Sequence, residues 1–460
     1  MSEETKGFAY FKEVAIGAGV GVAVLALIIG GFSISGGGLP TSTGANNSVQ
    51  PSNSASASPS PSSSSARTCS VAELAADPRL ANLSAVVLNP ATDEILFDRN
   101  AGTPAATASV LKTLTAAAAL ATLGPNYRID TRVYSDPSAP GTVYLVGGGD
   151  VTLSRTAPGT QSVYKDAPKL STLAVDVNKK MAGIPITRII LDSTLFTGPS
   201  WESSWERSEQ TEGYMSEVTA LQVDGDRKTP GNETSARSTK PVMNAGNYFK
   251  KALGASAAAA VVSEGKLPTS ATEIAKVSSQ PISKWITHML QVSDNTQAEA
   301  LARLVSLDQG FDGSFSSLNV AIKQALTATG LDASGMVIRD GSGLSNFNAV
   351  SPTYMAKFMK LVLNGTGDFK VIRDGLPVAA ESGSLASRFK GDNLDAAGKI
   401  LAKTGWIKKG YTLAGIINAK DGTALTFAIY ALGDVKTEAK DAIDNLATGF
   451  YRCGNQLSNE

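Results

Sequence analysis

Residues 107–125 read TASVLKTLTAAAALATLGP. Thr107 can cap a helix, helix-forming residues follow from 109 to 123, and Gly124-Pro125 ends the run. The alanines at 116–119 lack bulk and charge, which favours a helix inside a domain rather than on its surface. The segment therefore predicts a buried helix that begins close to Ser109.

The start of this helix carries Ser109 and Lys112, which stand three residues apart. Residues i and i+3 share one helix face, so the hydroxyl and the amine can be hydrogen-bond neighbours. A lysine near other cations in a dry site loses its proton and can accept the serine proton. Other pairs have the same spacing: Ser162/Lys165, Ser263/Lys266 and Ser387/Lys390. The pair alone is therefore a weak signal, and only the Ser109 copy opens a strong apolar helix.

Two later tripeptides complete a set. Ser293-Asp294-Asn295 lies between helices predicted at 282–292 and 297–307, and Lys403-Thr404-Gly405 lies on a strand predicted at 400–404. The first is weak alone because Ser317-Leu318-Asn319 has the same form, whereas the second occurs once. In this order, the serine–lysine helix, the Ser-x-Asn loop and the Lys-Thr-Gly strand resemble the motifs of penicillin-recognising active-site serine enzymes.

The resemblance narrows to one group. The numbers of Ser109 and Ser293 differ by 184, which is too long for a compact β-lactamase-like fold and indicates an inserted domain. Blocks at 145–150, 340–345 and 383–388 read LVGGGD, DGSGLS and GSLASR. Residues 83–432 thus resemble the large-insert D-alanyl-D-alanine carboxypeptidases, the class C low-molecular-mass penicillin-binding proteins. Val151 stands where a proline is common, and Trp406-Ile407 replaces the usual Thr-Leu.

The resemblance implies an α+β protein with the penicillin-binding, β-lactamase-like transpeptidase fold, an antiparallel sheet flanked by helices plus an all-α lobe. Apolar runs near both ends of the chain fit such a sheet: 84–88, 94–98, 400–404, 411–418 and 425–431. The serine DD-peptidase domain would take residues 67–138 and 269–460. Residues 139–268, with short apolar runs at 143–146, 186–191 and 220–223, predict a β-rich inserted domain.

The catalytic roles also come from the resemblance. Ser109 would be the nucleophile, and Lys112 would be the general base that the Lys403 cation keeps neutral. Ser293 would pass the proton to the leaving amine, with Lys403 close by. All four side chains would have to meet in one cleft.

Substrate contacts would come from residues beside the catalytic groups. Asn295 would hold the substrate amide, and Thr404 would bind the terminal carboxylate together with the neighbouring lysine. Gly405 belongs to the same strand. The backbone N–H groups of Ser109 and Trp406 would form the oxyanion hole. No metal and no cofactor is expected.

The predicted activity is that of a serine-type D-Ala-D-Ala carboxypeptidase acting on peptidoglycan stem peptides, with DD-endopeptidase action left open. β-Lactam antibiotics would inhibit it by acylating Ser109. One alternative is a serine β-lactamase, but Phe315 stands where the class A Glu-x-x-Leu-Asn element has its glutamate, before Leu318-Asn319. The other alternative is a catalytically silent cell-wall-binding homologue, against which the three intact motifs argue.

The composition of the chain excludes nucleic-acid-binding proteins and proteins with the usual His/Cys zinc clusters. The 41 basic and 41 acidic residues cancel, so the chain lacks the basic surplus that nucleic-acid binding needs. A single histidine, His288, and two cysteines exclude the usual His/Cys zinc clusters. Cys69 and Cys453 bracket the folded part and predict a disulfide in an oxidising compartment, with two free thiols as the alternative.

The N-terminal segment predicts export. Residues 14–34 are uncharged and mostly apolar, long enough for a transmembrane anchor, with a cleaved signal as the alternative. Residues 1–13 would be a cytoplasmic tail, and residues 35–66 a disordered linker rich in Ser, Pro and Gly. The remainder would lie on the extracytoplasmic face of a bacterial membrane or be secreted to the cell wall.

Overall fold

The computed structural model describes residues 67–460. The predicted cytoplasmic tail (1–13), the anchor or signal (14–34) and the linker (35–66) lie outside the described residues. Across residues 67–460, no helix combines the length and the apolar character that a membrane span needs.

Within residues 67–460, the secondary structure consists of two five-stranded sheets and the helices that cover them. The strands are β1 (Asn82–Asn89), β2 (Glu94–Arg99), β3 (Asp130–Ser135), β4 (Thr142–Val146), β5 (Arg188–Asp192), β6 (Val261–Glu264), β7 (Thr272–Ser278), β8 (Ile400–Ile407), β9 (Gly410–Asn418) and β10 (Ala424–Leu432). The helices are α1 (Ala72–Ala75), α2 (Lys112–Leu123), α3 (Leu170–Lys180), α4 (Ser208–Glu212), α5 (Pro241–Leu253), α6 (Ile282–Val292), α7 (Asn295–Asp308), α8 (Phe315–Thr327), α9 (Pro352–Asn364), α10 (Lys370–Gly375) and α11 (Ala439–Cys453).

The first sheet is built from both ends of the folded chain, as the sequence predicts. Its order is β2-β1-β10-β9-β8, and every neighbouring pair is antiparallel. Alternate residues of β10 face opposite sides of the sheet. Phe427 and Ile429 pack with α11. Ala428 and Tyr430 pack with the helical lobe, which is formed by α2 and by α6 to α10. The last strand of this order, β8, carries the Lys-Thr-Gly motif at the sheet edge.

The helical lobe surrounds α2. The alanines at 116–119 are fully buried, and α2 packs against α7 and α8. Small side chains leave room for neighbouring helices to approach, which explains why this alanine run lies inside the domain. The lobe holds the start of α2 against β8 and β9.

The second sheet, in the order β6-β5-β4-β3-β7, lies partly inside and partly outside the segment 139–268. Its strands β3 and β7 flank that segment, and within it α3 and α5 alternate with the strands. The pairs β4–β5 and β5–β6 are parallel, which requires crossover connections, and these two helices supply them. The segment expected to be β-rich is therefore a mixed α/β unit.

No strand forms at 220–223 in the described chain, contrary to the sequence expectation. These residues are buried, but their backbone bonds to a loop instead of to a strand. Gly149 N donates to Ala220 O at 2.8 Å, and Asp224 N donates to Leu153 O at 2.7 Å. Apolar composition alone does not distinguish such a buried loop from a strand.

Cys69 and Cys453 form a disulfide, as predicted. It joins the start of the described chain to the end of α11, which covers the first sheet. Next to it, Cys69 N donates to Gln456 O at 3.0 Å, and Ser458 N donates to Cys69 O at 2.9 Å. The cross-link therefore closes the sheet domain where both chain ends meet.

We expect the C69A/C453A variant to lose about 4 kcal/mol of unfolding free energy, because the disulfide closes a loop that spans nearly the whole folded chain. Urea unfolding of the variant and of the wild type would measure the loss. Catalysis at low temperature should stay unchanged, since the cross-link lies on the helix α11 side of the sheet. Equal unfolding midpoints would contradict the prediction.

Candidate active site

The start of α2 places the first two motif residues. Ser109 lies in a 3-10 turn, Ala108–Leu111, and Lys112 is the first residue of α2. Thr107 does not cap the helix through its side chain, contrary to the sequence expectation. Instead its carbonyl accepts a hydrogen bond from Thr412 Oγ1 at 2.7 Å, which fixes the turn against β9.

Lys112 is fully buried and donates three hydrogen bonds. Its Nζ lies 2.7 Å from Ser109 Oγ, 2.6 Å from Asn295 Oδ1 and 2.8 Å from Ser342 O. These acceptors use the three donors of an ammonium group. These three hydrogen bonds fix the position of the amine beside the serine hydroxyl.

The Ser-x-Asn motif forms the junction between α6 and α7. Ser293 ends α6 in the left-handed conformation, with φ 63°, and Asn295 begins α7. Between them, Asp294 caps α7 by accepting a hydrogen bond from Gln297 N at 2.9 Å. Asn295 Nδ2 donates to Tyr214 O at 3.1 Å, which orients the oxygen of its amide toward Lys112.

The Lys-Thr-Gly motif on β8 meets this junction. Lys403 is fully buried, and its Nζ donates to Ser293 Oγ at 2.9 Å and to Thr404 O at 2.7 Å. Thr404 Oγ1 lies 2.7 Å from Ser384 Oγ. Two adjacent hydroxyl groups, one on β8 and one on the 3-10 turn Gly383–Leu385, therefore lie next to a buried amine.

Gly405 is required by the closeness of β8 to the start of α2. A Cβ on Gly405 would lie 2.1 Å from Thr412 Oγ1 and 2.9 Å from Ser109 N. Only glycine permits such an approach. The backbone of β8 thus runs directly beside the N–H group of the serine.

Trp406 lies at the rim of the site. Its side chain is 49% exposed, and its ring packs edge-on against the half-exposed ring of Tyr214 at 6.3 Å between centroids. The structure therefore brings the motif residues from three distant segments together, with an aromatic pair beside them.

Burial controls the charge of both site lysines. It lowers the pKa of Lys112 to about 8, although the carboxylates of Asp340 and Glu299 oppose the shift. Burial, and then repulsion from Lys112, lowers the pKa of Lys403 well below its usual value. Burial, and not the Lys403 cation expected from the sequence, is thus the largest cause of the lowered pKa of Lys112.

A buried loop at 340–345 supports Lys112, a role that its sequence does not predict. Glu299 accepts hydrogen bonds from Gly341 N and from Ser342 N, the latter at 2.7 Å, and so holds the Ser342 carbonyl beneath Lys112. Burial, then the charge of Asp340, raises the pKa of Glu299. The signal for this loop was present in the DGSGLS block, whereas nothing in the sequence linked Glu299 to it.

Ser384 and Tyr214 were also missed as site residues. Ser384 belongs to the GSLASR block, so its motif was visible although its contact with Thr404 was not. Tyr214 touches Asn295 through its backbone carbonyl, which any residue carries. A sequence pattern gives no signal for such a contact.

The two ring nitrogens of His288 contact residues outside the three motifs. Its Nδ1 lies 2.6 Å from Gln297 Oε1, and its Nε2 lies 3.1 Å from Glu233 Oε1. The part of the chain that the structure describes contains no cluster of His, Cys, Asp or Glu side chains able to hold a metal ion. The side chains that meet at the three motifs carry hydroxyl, amine and amide groups.

Relatives in sequence span most of this chain. The chain is 33% identical over 388 residues to carboxypeptidase DacB of Mycolicibacterium smegmatis, and the match covers 84% of each protein. A carboxypeptidase of Mycobacterium tuberculosis is 32% identical over 391 residues, again with 84% of each protein covered. A D-alanyl-D-alanine carboxypeptidase of an Actinomadura strain is 26% identical over 441 residues, with 77% of this chain and 78% of that protein covered.

Solved structures share the fold. Penicillin-binding protein 4 of Haemophilus influenzae superposes with a TM-score of 0.68 at 19% identity, covering 80% of this chain and 95% of that one. A predatory endopeptidase of Bdellovibrio bacteriovorus, solved in complex with an immunity protein, gives a TM-score of 0.52 at 17% identity, with 82% and 93% covered. The predicted α+β penicillin-binding fold is confirmed.

The family profile matches nearly all of the described chain. The profile of the D-Ala-D-Ala carboxypeptidase 3 (S13) family matches residues 67–233 and 226–450. These stretches contain all three motifs and both sheets. The family resemblance read from the motifs is therefore confirmed, and the chain belongs to the D-Ala-D-Ala carboxypeptidase 3 (S13) family.

Proposed function

We propose that the protein is a serine-type D-alanyl-D-alanine carboxypeptidase that acts on peptidoglycan stem peptides through an acyl-enzyme on Ser109. The observation that carries the proposal is the bond of 2.7 Å between Lys112 Nζ and Ser109 Oγ, made by a fully buried lysine whose pKa is lowered to about 8. A lysine with such a pKa is partly unprotonated near neutral pH, and the unprotonated amine can accept the proton of the serine.

Acylation follows from this geometry. Ser109 Oγ attacks the carbonyl carbon of the penultimate D-alanine while its proton moves to Lys112 Nζ. The negative charge on the carbonyl oxygen is stabilised by the N–H groups of Ser109 and Trp406. When the C–N bond breaks, Ser293 Oγ gives its proton to the leaving nitrogen and takes the proton that Lys112 received. D-alanine departs, and Lys112 is again unprotonated.

Binding of the terminal carboxylate changes the charge of Lys403. In the free site its pKa is lowered by burial and by Lys112. An arriving carboxylate favours the protonated form, so the bound substrate returns a positive charge to Lys403. That charge stands next to Thr404 and Ser384, whose hydroxyls can share the carboxylate. Asn295 stays on the substrate amide and on Lys112.

Deacylation returns the enzyme to its starting state. A water molecule gives a proton to Lys112 and attacks the ester carbon, and Lys112 then passes that proton to Ser109 Oγ, which leaves as the hydroxyl. The same chemistry applies to the D-alanyl bond of a cross-link, so endopeptidase action needs no further group. A β-lactam would acylate Ser109 through its strained amide, and one relative of this fold, the H. influenzae protein, was solved complexed with a β-lactam.

The decisive experiment follows the products of two substrates. The protein is incubated with a stem pentapeptide ending in D-Ala-D-Ala and with a cross-linked muropeptide dimer, and free D-alanine and monomer are measured separately. A pentapeptide ending in L-alanine is the control. We expect release of D-alanine from the pentapeptide that ends in D-Ala-D-Ala and none from the pentapeptide that ends in L-alanine. A folded protein that releases no D-alanine would refute the proposal. Fast penicillin hydrolysis instead would favour a β-lactamase.

We also propose that the protein works outside the cytoplasm, tethered by residues 14–34 or released after their cleavage. The apolar stretch and the uncharged linker that follows it support export. The Cys69–Cys453 disulfide supports an oxidising compartment. The substrate class proposed above is found on that side of the membrane.

The pH dependence of acylation should report Lys112. Because the base must be unprotonated, the first-order rate at saturating penicillin should rise about tenfold per pH unit below the pKa of about 8 and level off above it. The bound carboxylate keeps Lys403 protonated over this range. Stopped-flow acylation with circular dichroism at each pH would measure it, and a flat profile between about pH 6 and pH 9 would contradict the role of Lys112 as base.

A further inference from the structure

A buried ion pair links the mixed α/β unit to the Ser-x-Asn junction. Arg227, whose side chain is 2% exposed, donates from Nη2 to Asp294 Oδ2 at 2.8 Å. Its Nη1 donates to the hydroxyl of Tyr164 at 2.6 Å, and that hydroxyl donates to the same Asp294 oxygen at 3.1 Å. The three side chains thus form a closed triangle in which each group is bonded to the other two.

Asp294 is the residue on which both neighbouring motif residues depend. It stands between Ser293 and Asn295, and its second oxygen caps α7. Burial alone would raise the pKa of Asp294, but the charges of Arg227 and His288 lower it below its usual range. The carboxylate is therefore fixed, charged and bonded through both oxygens.

The backbone at Ser293 needs such an anchor. Its φ of 63° lies in the left-handed region, which a non-glycine residue keeps only where surrounding contacts hold it. In this conformation its hydroxyl accepts the hydrogen bond from Lys403. A freed Asp294 would let the junction relax, and Ser293 Oγ and Asn295 Oδ1 would move off the two lysines.

The loop that carries Arg227 is shaped around its guanidinium. Gly225 has φ 58°, and a Cβ there would lie 2.7 Å from Arg227 Nη1 and 2.7 Å from the Tyr164 hydroxyl. Gly225 N donates to Val151 O at 2.7 Å, directly after the LVGGGD block. The glycine is thus explained by the room that the arginine needs.

We propose that Arg227 is a positioning residue for acyl transfer, which holds Ser293 and Asn295 on Lys403 and Lys112 by fixing Asp294, and that Tyr164 orients it. The inference rests on the proposed function, because it assigns those two motif residues a part in catalysis. Through Arg227, the mixed α/β unit contributes to the reaction by positioning residues of the active site.

A charge-balanced pair of substitutions distinguishes an effect on the position of the catalytic side chains from an effect on the stability of the protein. R227M leaves a buried carboxylate unpaired, whereas R227M/D294N removes both charges and keeps an oxygen on residue 294 to cap α7. We expect the double variant to regain most of the wild-type melting temperature and still to acylate about 100-fold more slowly at saturating penicillin. R388M, which breaks the remote buried pair of Arg388 with Asp444, is the matched control and should acylate within about threefold of wild type.

A second variant keeps the test decisive if R227M does not fold. Y164F preserves the charges and the ring and removes only the hydroxyl that orients Arg227, so we expect about a tenfold slower acylation with a melting temperature only slightly lowered. Recovery of acylation along with stability in R227M/D294N, or a wild-type rate in Y164F, would overturn the inference. Absence of acylation in the wild type would instead refute the proposed function, so the two failures are distinguishable.

Discussion

Replacing Ser109 with alanine is expected to abolish both labelling by a fluorescent penicillin and the release of D-alanine from a pentapeptide, a loss of about 10⁶-fold in rate. No neighbouring hydroxyl can take over the attack. Ser293 Oγ, the other motif hydroxyl, is bonded to Lys403 instead of to Lys112. The measurement is gel fluorescence for labelling and a coupled assay for D-alanine.

The chain supplies a matched control for this variant. Ser263 and Lys266 have the same spacing as Ser109 and Lys112, but Ser263 is exposed on β6. S263A should label and turn over as the wild type does. Labelling that persists in S109A would assign the acylated residue elsewhere and remove the basis of the mechanism.

The spacing of Ser109 and Lys112 predicts their contact because three residues along a helix start return to the same face. The two-ended sheet could be predicted for a related reason, since apolar runs near both termini have to bury their faces together. The disulfide follows from the same closeness of the chain ends. These features depend on local periodicity and on pairing between ends.

Other features depend on contacts that local pattern does not encode. The segment 139–268 was expected to be β-rich because its short apolar runs resemble strands, yet the residues that face inward on α3 recur at helical spacing: Leu170, Leu173, Ala174 and Val177. The strand expected at 220–223 is a buried loop. Its backbone partners lie in the LVGGGD region, more than sixty positions earlier in the numbering.

The electrostatics of the site show the same division. Sequence alone indicates two lysines and a serine, and the family resemblance assigns the roles. Neither the sequence nor the resemblance reveals that both amines are fully buried, and this burial is the largest cause of their lowered pKa values. Burial is a property of the whole lobe, including Glu299 and the 340–345 loop, and no short motif contains it.

Replacing Lys112 with methionine is expected to slow acylation by at least about 10⁴-fold while leaving the fold intact, because methionine fills a similar space without a titratable group. In the folded protein the Lys112 ammonium is disfavoured by burial, so removing it relieves a destabilising charge. The carbonyl of Ser342 loses a donor in exchange. We expect the two effects to offset each other within about 2 kcal/mol, as thermal melting would show. K266M, at the exposed lysine of the control pair, should change neither property.

An arginine at the same position separates proton transfer from simple positive charge. K112R retains a cation and its hydrogen-bond donors but cannot release a proton near neutral pH, so it should acylate as slowly as K112M. If K112R instead kept more than about a tenth of the wild-type rate, Lys112 would act by charge and position, and the base would have to be another group. If both variants are inactive and the wild-type rate rises through the pKa of Lys112, then a neutral amine is the species that activates Ser109. The lobe that buries this amine, and not the motif alone, would then account for the reactivity of the serine.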